Sequence, residues 1–267
     1  VSLNPLWDLL FATILIFSVA WYFSEKPLAH GISKARQILF STAMFLTFVV
    51  LVGPVPHFAV RIFWVHMVQH ILLMMLISPL IVLGSPFRLA FNSRRLKIRL
   101  FVQRLSKFSF VRIFFKPEIG FALFLFTLVG THFGPLANAG MRNSNVHCFE
   151  LILFLLSGVT YYYPVLDGNP TPYPVAYSTR LGSLFAMMLP ETMVGFFLYS
   201  GNKLLHTAPM RMGGMDPLRD QHTGGALMWA MGMLIDSMWV VIAARDWFAN
   251  EKRLGDLEDA ESVGENS

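Results

Sequence analysis

Long apolar runs, each about one bilayer in length and separated by short polar breaks, dominate this chain. A helix needs about 20 mostly apolar residues to cross the hydrocarbon core. Seven stretches meet that length, at roughly 3–23, 35–53, 60–83, 118–138, 146–166, 180–201 and 221–248. The pattern predicts an all-α fold, a polytopic membrane bundle of seven transmembrane helices forming one domain over residues 1–250. Hydrophobic residues make up 55% of the 267 positions and charged residues 14%. That leaves too little polar surface for a globule in water, so the lipid bilayer is the expected surrounding. No internal repeat of the kind that builds many transporters is visible.

The polar breaks carry their own expectations. Between the third and fourth runs, in the basic loop 84–117, Ile98, Phe101, Val102, Leu105 and Phe108 recur at helical spacing among Arg95, Lys97, Arg99, Arg104 and Lys107. This is a candidate interfacial helix on an anionic leaflet, with a solvated basic loop as the alternative. The run from Asp167 to Pro174 contains Gly168, Pro170, Pro172 and Pro174, which break a helix repeatedly and predict a turn. Residues 251–267 hold Glu251, Asp256, Glu258, Asp259, Glu261 and Glu265 with few large apolar groups, and are expected to form a disordered acidic tail.

Charge placement orients the bundle. The net charge of +5 is explained by topology and needs no nucleic-acid partner. Lys26, Lys34 and Arg36, nine basic residues from Arg88 to Lys116, Arg180, Arg245, Lys252 and Arg253 fall on one side, 16 of 21 in all. Arg61, Arg142, Lys203, Arg211 and Arg219 fall opposite. The positive-inside rule then places the N-terminus out and the C-terminus in. The first run has no basic stretch before it and exceeds a signal-peptide core, so it reads as a span, with Trp21 and Tyr22 at its inner interface. Cys148, the single cysteine, permits no internal disulfide.

In this topology seven of the eight histidines, His57, His66, His70, His132, His147, His206 and His222, gather towards the outer side, and His30 alone lies inside. Such clustering points to a metal or haem site. His66 and His70 share a face of the third span at i, i+4, about 6 Å apart along the axis. They lie at depths of about 9 and 15 Å, where lipid exposure is unfavourable; the alternative is a packing pair. His147 and Glu150 share a face at i, i+3, while Cys148 projects about 100° away. His132 closes the fourth span before Gly134-Pro135, with a bond to a loop carbonyl as its alternative reading. Met210, Met212 and Met215 crowd one outer loop, and thioethers suit Cu(I) as imidazoles suit copper generally. Lipid contact is their other reading.

Asp220, Glu191 and Asp236 are candidate polar partners in or near the spans. Asp220 precedes His222 and the pair Gly224-Gly225 at the start of the last span, where an acid favours the helix N-terminus and glycines allow close helix approach. Glu191, about 15 Å from the outer end of the sixth span, lies at the calculated level of His70 and is expected to face it. Asp236 lies deeper, about 22 Å in, without an evident partner.

Several segments together resemble a known family. His66-Met67-Val68-Gln69-His70 leads to Ser78-Pro79 and Gly84-Ser85-Pro86, His147-Xaa-Xaa-Glu150 leads to Tyr161-Tyr162-Tyr163-Pro164, and Asp220-Gln221 leads to Gly224-Gly225 and Met228-Trp229. Over roughly residues 55–245 this is similar to the multi-span CtaG-type cytochrome c oxidase assembly factors of caa-type oxidases. Leu151 stands where many members carry a second histidine, and His222 where they carry Gln. The resemblance implies a multi-pass protein of the bacterial plasma membrane, not an enzyme, that acts on cytochrome c oxidase subunits and has a link to copper delivery. The expected copper donors are His66, His70, His132, His147 and His222 with Glu150, and Met210, Met212 and Met215 as weaker acquisition sites. Zinc could use similar donors. Alternatives are haem b held by two histidines for electron transfer, or a structural accessory subunit of a respiratory complex. Transport is disfavoured by spans one and two, which are apolar in their centres.

Overall fold

The structure, a computed structural model, describes residues 5–25, 32–133, 135–166, 170–205 and 216–265. The described residues form helices and no strand. In chain order these are α1 (Pro5–Glu25), α2 (Lys34–Leu51), α3 (Pro54–Ala59), α4 (Phe63–Ile71), a π-helical segment (Leu72–Ile77), α5 (Ser78–Leu83), α6 (Pro86–Phe91), α7 (Leu96–Leu105), α8 (Ser109–Ile113), α9 (Pro117–Phe133), α10 (Pro135–Arg142), α11 (Ser144–Leu166), α12 (Tyr177–Ser200) and α13 (Pro217–Glu265). Proline opens α1, α3, α6, α9, α10 and α13, because its fixed φ and missing N–H cost nothing in a first helical turn.

Six helical stretches are long and apolar enough to cross a membrane: Pro5–Glu25, Lys34–Ala59, Phe63–Phe91, Ser144–Leu166, Tyr177–Ser200 and Pro217–Glu258. The stretch expected as a fourth span is α9, an apolar helix of 17 residues that is not among these six. It is shorter than the expected 118–138 because a new helix, α10, starts at Pro135. Two other expectations meet the structure differently. In the basic loop the residues at helical spacing form α7, which ends at Leu105, with Phe101 exposed and Val102 half-buried. The tail continues α13 as helix to Glu265 instead of irregular chain. A helix nucleated in the last span extends at little cost through Glu251, Lys252, Arg253 and Leu254, all good helix formers.

The third span is the axis of the bundle, and its middle is not α-helical. Pro79 has no N–H to offer the Met75 carbonyl, and the ladder widens into the π turn just before it. Trp239 Nε1 on α13 donates to that carbonyl at 2.8 Å. The backbone N–H of Ser78 reaches back to Leu73 O, and its hydroxyl donates to Leu73 O at 2.8 Å and Leu155 O at 3.0 Å. Here α11 comes so close that a Cβ on Gly158 would lie 2.5 Å from Met74 O. The longest interface joins α12 to α13. It relies on Gly225, where a Cβ would collide with Tyr199 N, and on Gly195, where one would lie 2.9 Å from Trp229 N.

Candidate metal centre

The centre is built on α4 and the first turns of α11. Helical pitch puts His66 and His70 on one face of α4, their ring centroids 4.2 Å apart. His147 enters from α11, its ring 4.8 Å from that of His66 and 6.2 Å from that of His70. One ring nitrogen from each of the three lies within 4.8 Å of the others. All three are buried, at 4%, 4% and 2% exposure. With metal–nitrogen bonds of about 2.0–2.1 Å, tetrahedral donors stand about 3.4 Å apart. Closing on an ion therefore takes side-chain shifts of about an ångström and no helix movement. Neither ring nitrogen of His147 has a hydrogen-bond partner.

The surroundings hold this group in place. Glu150, one turn along α11, sets its Oε2 3.7 Å from His147 Nδ1 and is itself buried. Its carboxyl packs against α10 at Gly140, where any Cβ would fall inside it. Phe154 stacks on His70 at 4.1 Å. His132, from the end of α9, lies 5.9 Å from His70. Its Nδ1 is within 2.6 Å of Leu128 O and 3.2 Å of Thr131 Oγ1. A proton on Nδ1 donated to that carbonyl leaves the lone pair on Nε2, the tautomer a ligand histidine needs.

Other expected residues lie elsewhere. His222 uses Nε2 on Gly201 O at 2.8 Å and rests on Tyr199, outside the group. His57 is exposed beside Phe58, and Cys148 is buried outside the group. Met210, Met212, Met215, His206 and His30 lie outside the described residues. Glu191 does not face His70. It sits beside Asp236 instead, because the close α12–α13 interface puts those two together while Phe154 of α11 covers His70.

Asp220 caps a helix, but not its own. Its Oδ2 accepts from Phe63 N at 2.9 Å and its Oδ1 from Trp64 N at 3.1 Å. The first residues of α13 thereby satisfy the N-terminus of α4, which carries both third-span histidines and has no side-chain cap of its own. Gln221 beside it accepts from Leu205 N at 2.9 Å and donates to Lys203 O at 3.2 Å. Gln69, between the two histidines, donates to Val50 O on α2 at 2.8 Å. Sequence reasoning missed Phe154 and Gly140. Phe154 could have been found seven residues after His147, on the same face; nothing local marks Gly140.

Comparison with known proteins agrees with the arrangement of motifs. Relatives include uncharacterized proteins of Mycobacterium bovis and Mycobacterium tuberculosis, each 28% identical over 208 residues, and one of Mycobacterium leprae, 29% identical over 208 residues. The matches cover 74% of this chain and 32% of each relative, so the chain spans about a third of their length. No solved structure matches. The profile of the cytochrome c oxidase caa3 assembly factors (CtaG) matches residues 14–250, nearly the whole helical bundle, and the chain belongs to that family.

Proposed function

We propose that this protein binds copper as cargo on His66, His70 and His147 and supports its insertion into cytochrome c oxidase. In this reading it is a bacterial plasma-membrane protein with the N-terminus outside, acting on oxidase subunits and carrying out no catalysis of its own. The observation that carries the proposal is the convergence of three buried imidazoles from two helices, in a family of oxidase assembly factors. Imidazole suits copper, and a set without thiolate can release its ion without displacing a tightly held anion. The Glu150 carboxyl, 3.7 Å from His147, can balance the charge of the ion. His132 serves as an adjacent fourth donor, and Met210, Met212 and Met215 remain candidates for first capture. Haem b fits less well. The rings of His66 and His147 lie 26° from parallel and 4.8 Å apart, whereas axial ligands stand end-on to a macrocycle between them.

The test is metal content per polypeptide after copper loading of detergent-purified protein. His66→Ala with His70→Ala, and separately His147→Ala, should lower bound copper at least tenfold and abolish oxidase maturation without changing expression. Copper retained at the wild-type level in both variants would remove the site. A Soret band in the wild type would favour haem instead.

A further inference from the structure

The first span is fastened at its ends, and between them it packs on the bundle through Phe11, Leu15 and Val19. At the outer end Trp7 Nε1 donates to Asn145 Oδ1 on α11 at 2.8 Å. At the inner end Glu25 pairs with Arg95 at 3.1 Å, Tyr22 stacks on Phe40 at 3.9 Å, and its hydroxyl donates to Gly84 O at 2.9 Å. Between these fastenings lies a partly open cavity of about 710 Å³, bounded by α1, α2, α5–α8 and α11.

Its lining is almost wholly hydrocarbon. Ser18, Thr47 and Ser106 are the hydroxyl-bearing residues. Each already donates to a carbonyl of its own helix, at 2.8, 2.6 and 3.0 Å. A water inside would find too few partners to stay, and an empty space of this size forfeits the contacts of all its walls. Hydrocarbon is the filling that the chemistry allows. Along α1 the lining runs from Leu10 to Trp21, a rise of about 16 Å, and half of a hydrocarbon core is about 15 Å. The space is one leaflet deep.

The inner end of the cavity is closed by α6, α7 and α8, through Phe87, Val102, Ser106 and Val111. The loop that holds these helices, residues 84–117, contains nine lysines and arginines and no acid. Lys107 and Arg112 directly follow the lining residues Ser106 and Val111 and are exposed, Arg112 with its guanidinium 5.6 Å from the centre of the Tyr173 ring. A phosphate at that rim meets positive charge, which attracts anionic headgroups to a membrane surface. We propose that the cavity is a binding site for one anionic glycerophospholipid of the leaflet that faces the basic loop. Its acyl chains lie behind α1, and its phosphate sits at Lys107 and Arg112.

Two measurements test this. Protein delipidated in detergent and reconstituted with phosphatidylglycerol brominated on its acyl chains should show strong quenching of Trp21, read as the difference from Trp21→Phe. Quenching should saturate at about one lipid per protein, and brominated phosphatidylcholine should need at least fivefold more lipid. Native mass spectrometry should show one anionic phospholipid retained by the wild type. That lipid should be lost in Ser18→Phe/Ser106→Phe, whose rings fill the space, and should lose its anionic preference in Lys107→Gln/Arg112→Gln. Quenching that rises without saturation, or equally with both headgroups, overturns the proposal. So does a retained polypeptide in place of lipid. The Trp21 reading needs no cavity-filling variant, so misfolding of that variant does not affect it.

Discussion

Burial does most of the work at the level of single side chains. An imidazole inside a bundle needs a partner or an ion, and His147 has no hydrogen bond to a neighbouring carbonyl. Residues around the group should therefore separate by role. His222→Ala should leave bound copper unchanged, since that ring serves Gly201 O; a fall in copper would return it to the ligand set. Glu150→Gln should weaken copper binding about ten- to hundredfold, the usual effect of a partner group beside a ligand. Gly140→Ala should do the same by another route, because its Cβ would occupy the space of the Glu150 carboxyl. Titration with a Cu(I) chelator measures both, and equal affinity in wild type and Gly140→Ala would show that the acid is not needed.

Among elements, the histidine helix α4 is secured at both ends by α13. Asp220 holds its N-terminus, and Trp239 donates to the Met75 carbonyl in the π turn that follows its C-terminus. Asp220→Ala removes two hydrogen bonds to the backbone of α4, one buried and one part-buried. It should cost about 1–2 kcal/mol as a lost cap and loosen the copper site with it. Hydrogen exchange at Phe63 and Trp64 should accelerate, and protection as in the wild type would contradict the capping role. Trp239→Phe leaves the Met75 carbonyl without its donor, at about 1–3 kcal/mol, which thermal unfolding in detergent would register. Both effects are invisible to helical periodicity, since each joins residues more than 150 positions apart.

For the whole molecule, the arrangement follows from solvent. Apolar faces point outward to lipid along α1, α9 and α12, while the polar groups are collected around the third span. Orientation is open to direct measurement. In a Cys148→Ala background, Lys203→Cys should react with a membrane-impermeant maleimide added to intact cells, and Lys107→Cys only after permeabilisation. The reverse pattern would invert the topology and move the histidine site to the cytoplasmic side.

Composition and the length of the apolar runs were enough for an all-helical bundle, because a chain in lipid must satisfy its backbone within each helix. The i, i+4 spacing of His66 and His70 and the i, i+3 spacing of His147 and Glu150 likewise showed which groups share a face. Which faces meet was decided by packing between distant segments. Glycines at 158, 195 and 225 set how close the helices come, and that closeness sends His147 to His66, His222 to Gly201 and Glu191 to Asp236. A depth calculation put Glu191 level with His70, but depth along a helix axis carries no information about rotation around it. Only the tertiary structure supplies that angle, and with it the division between the histidines that converge and those that close a loop.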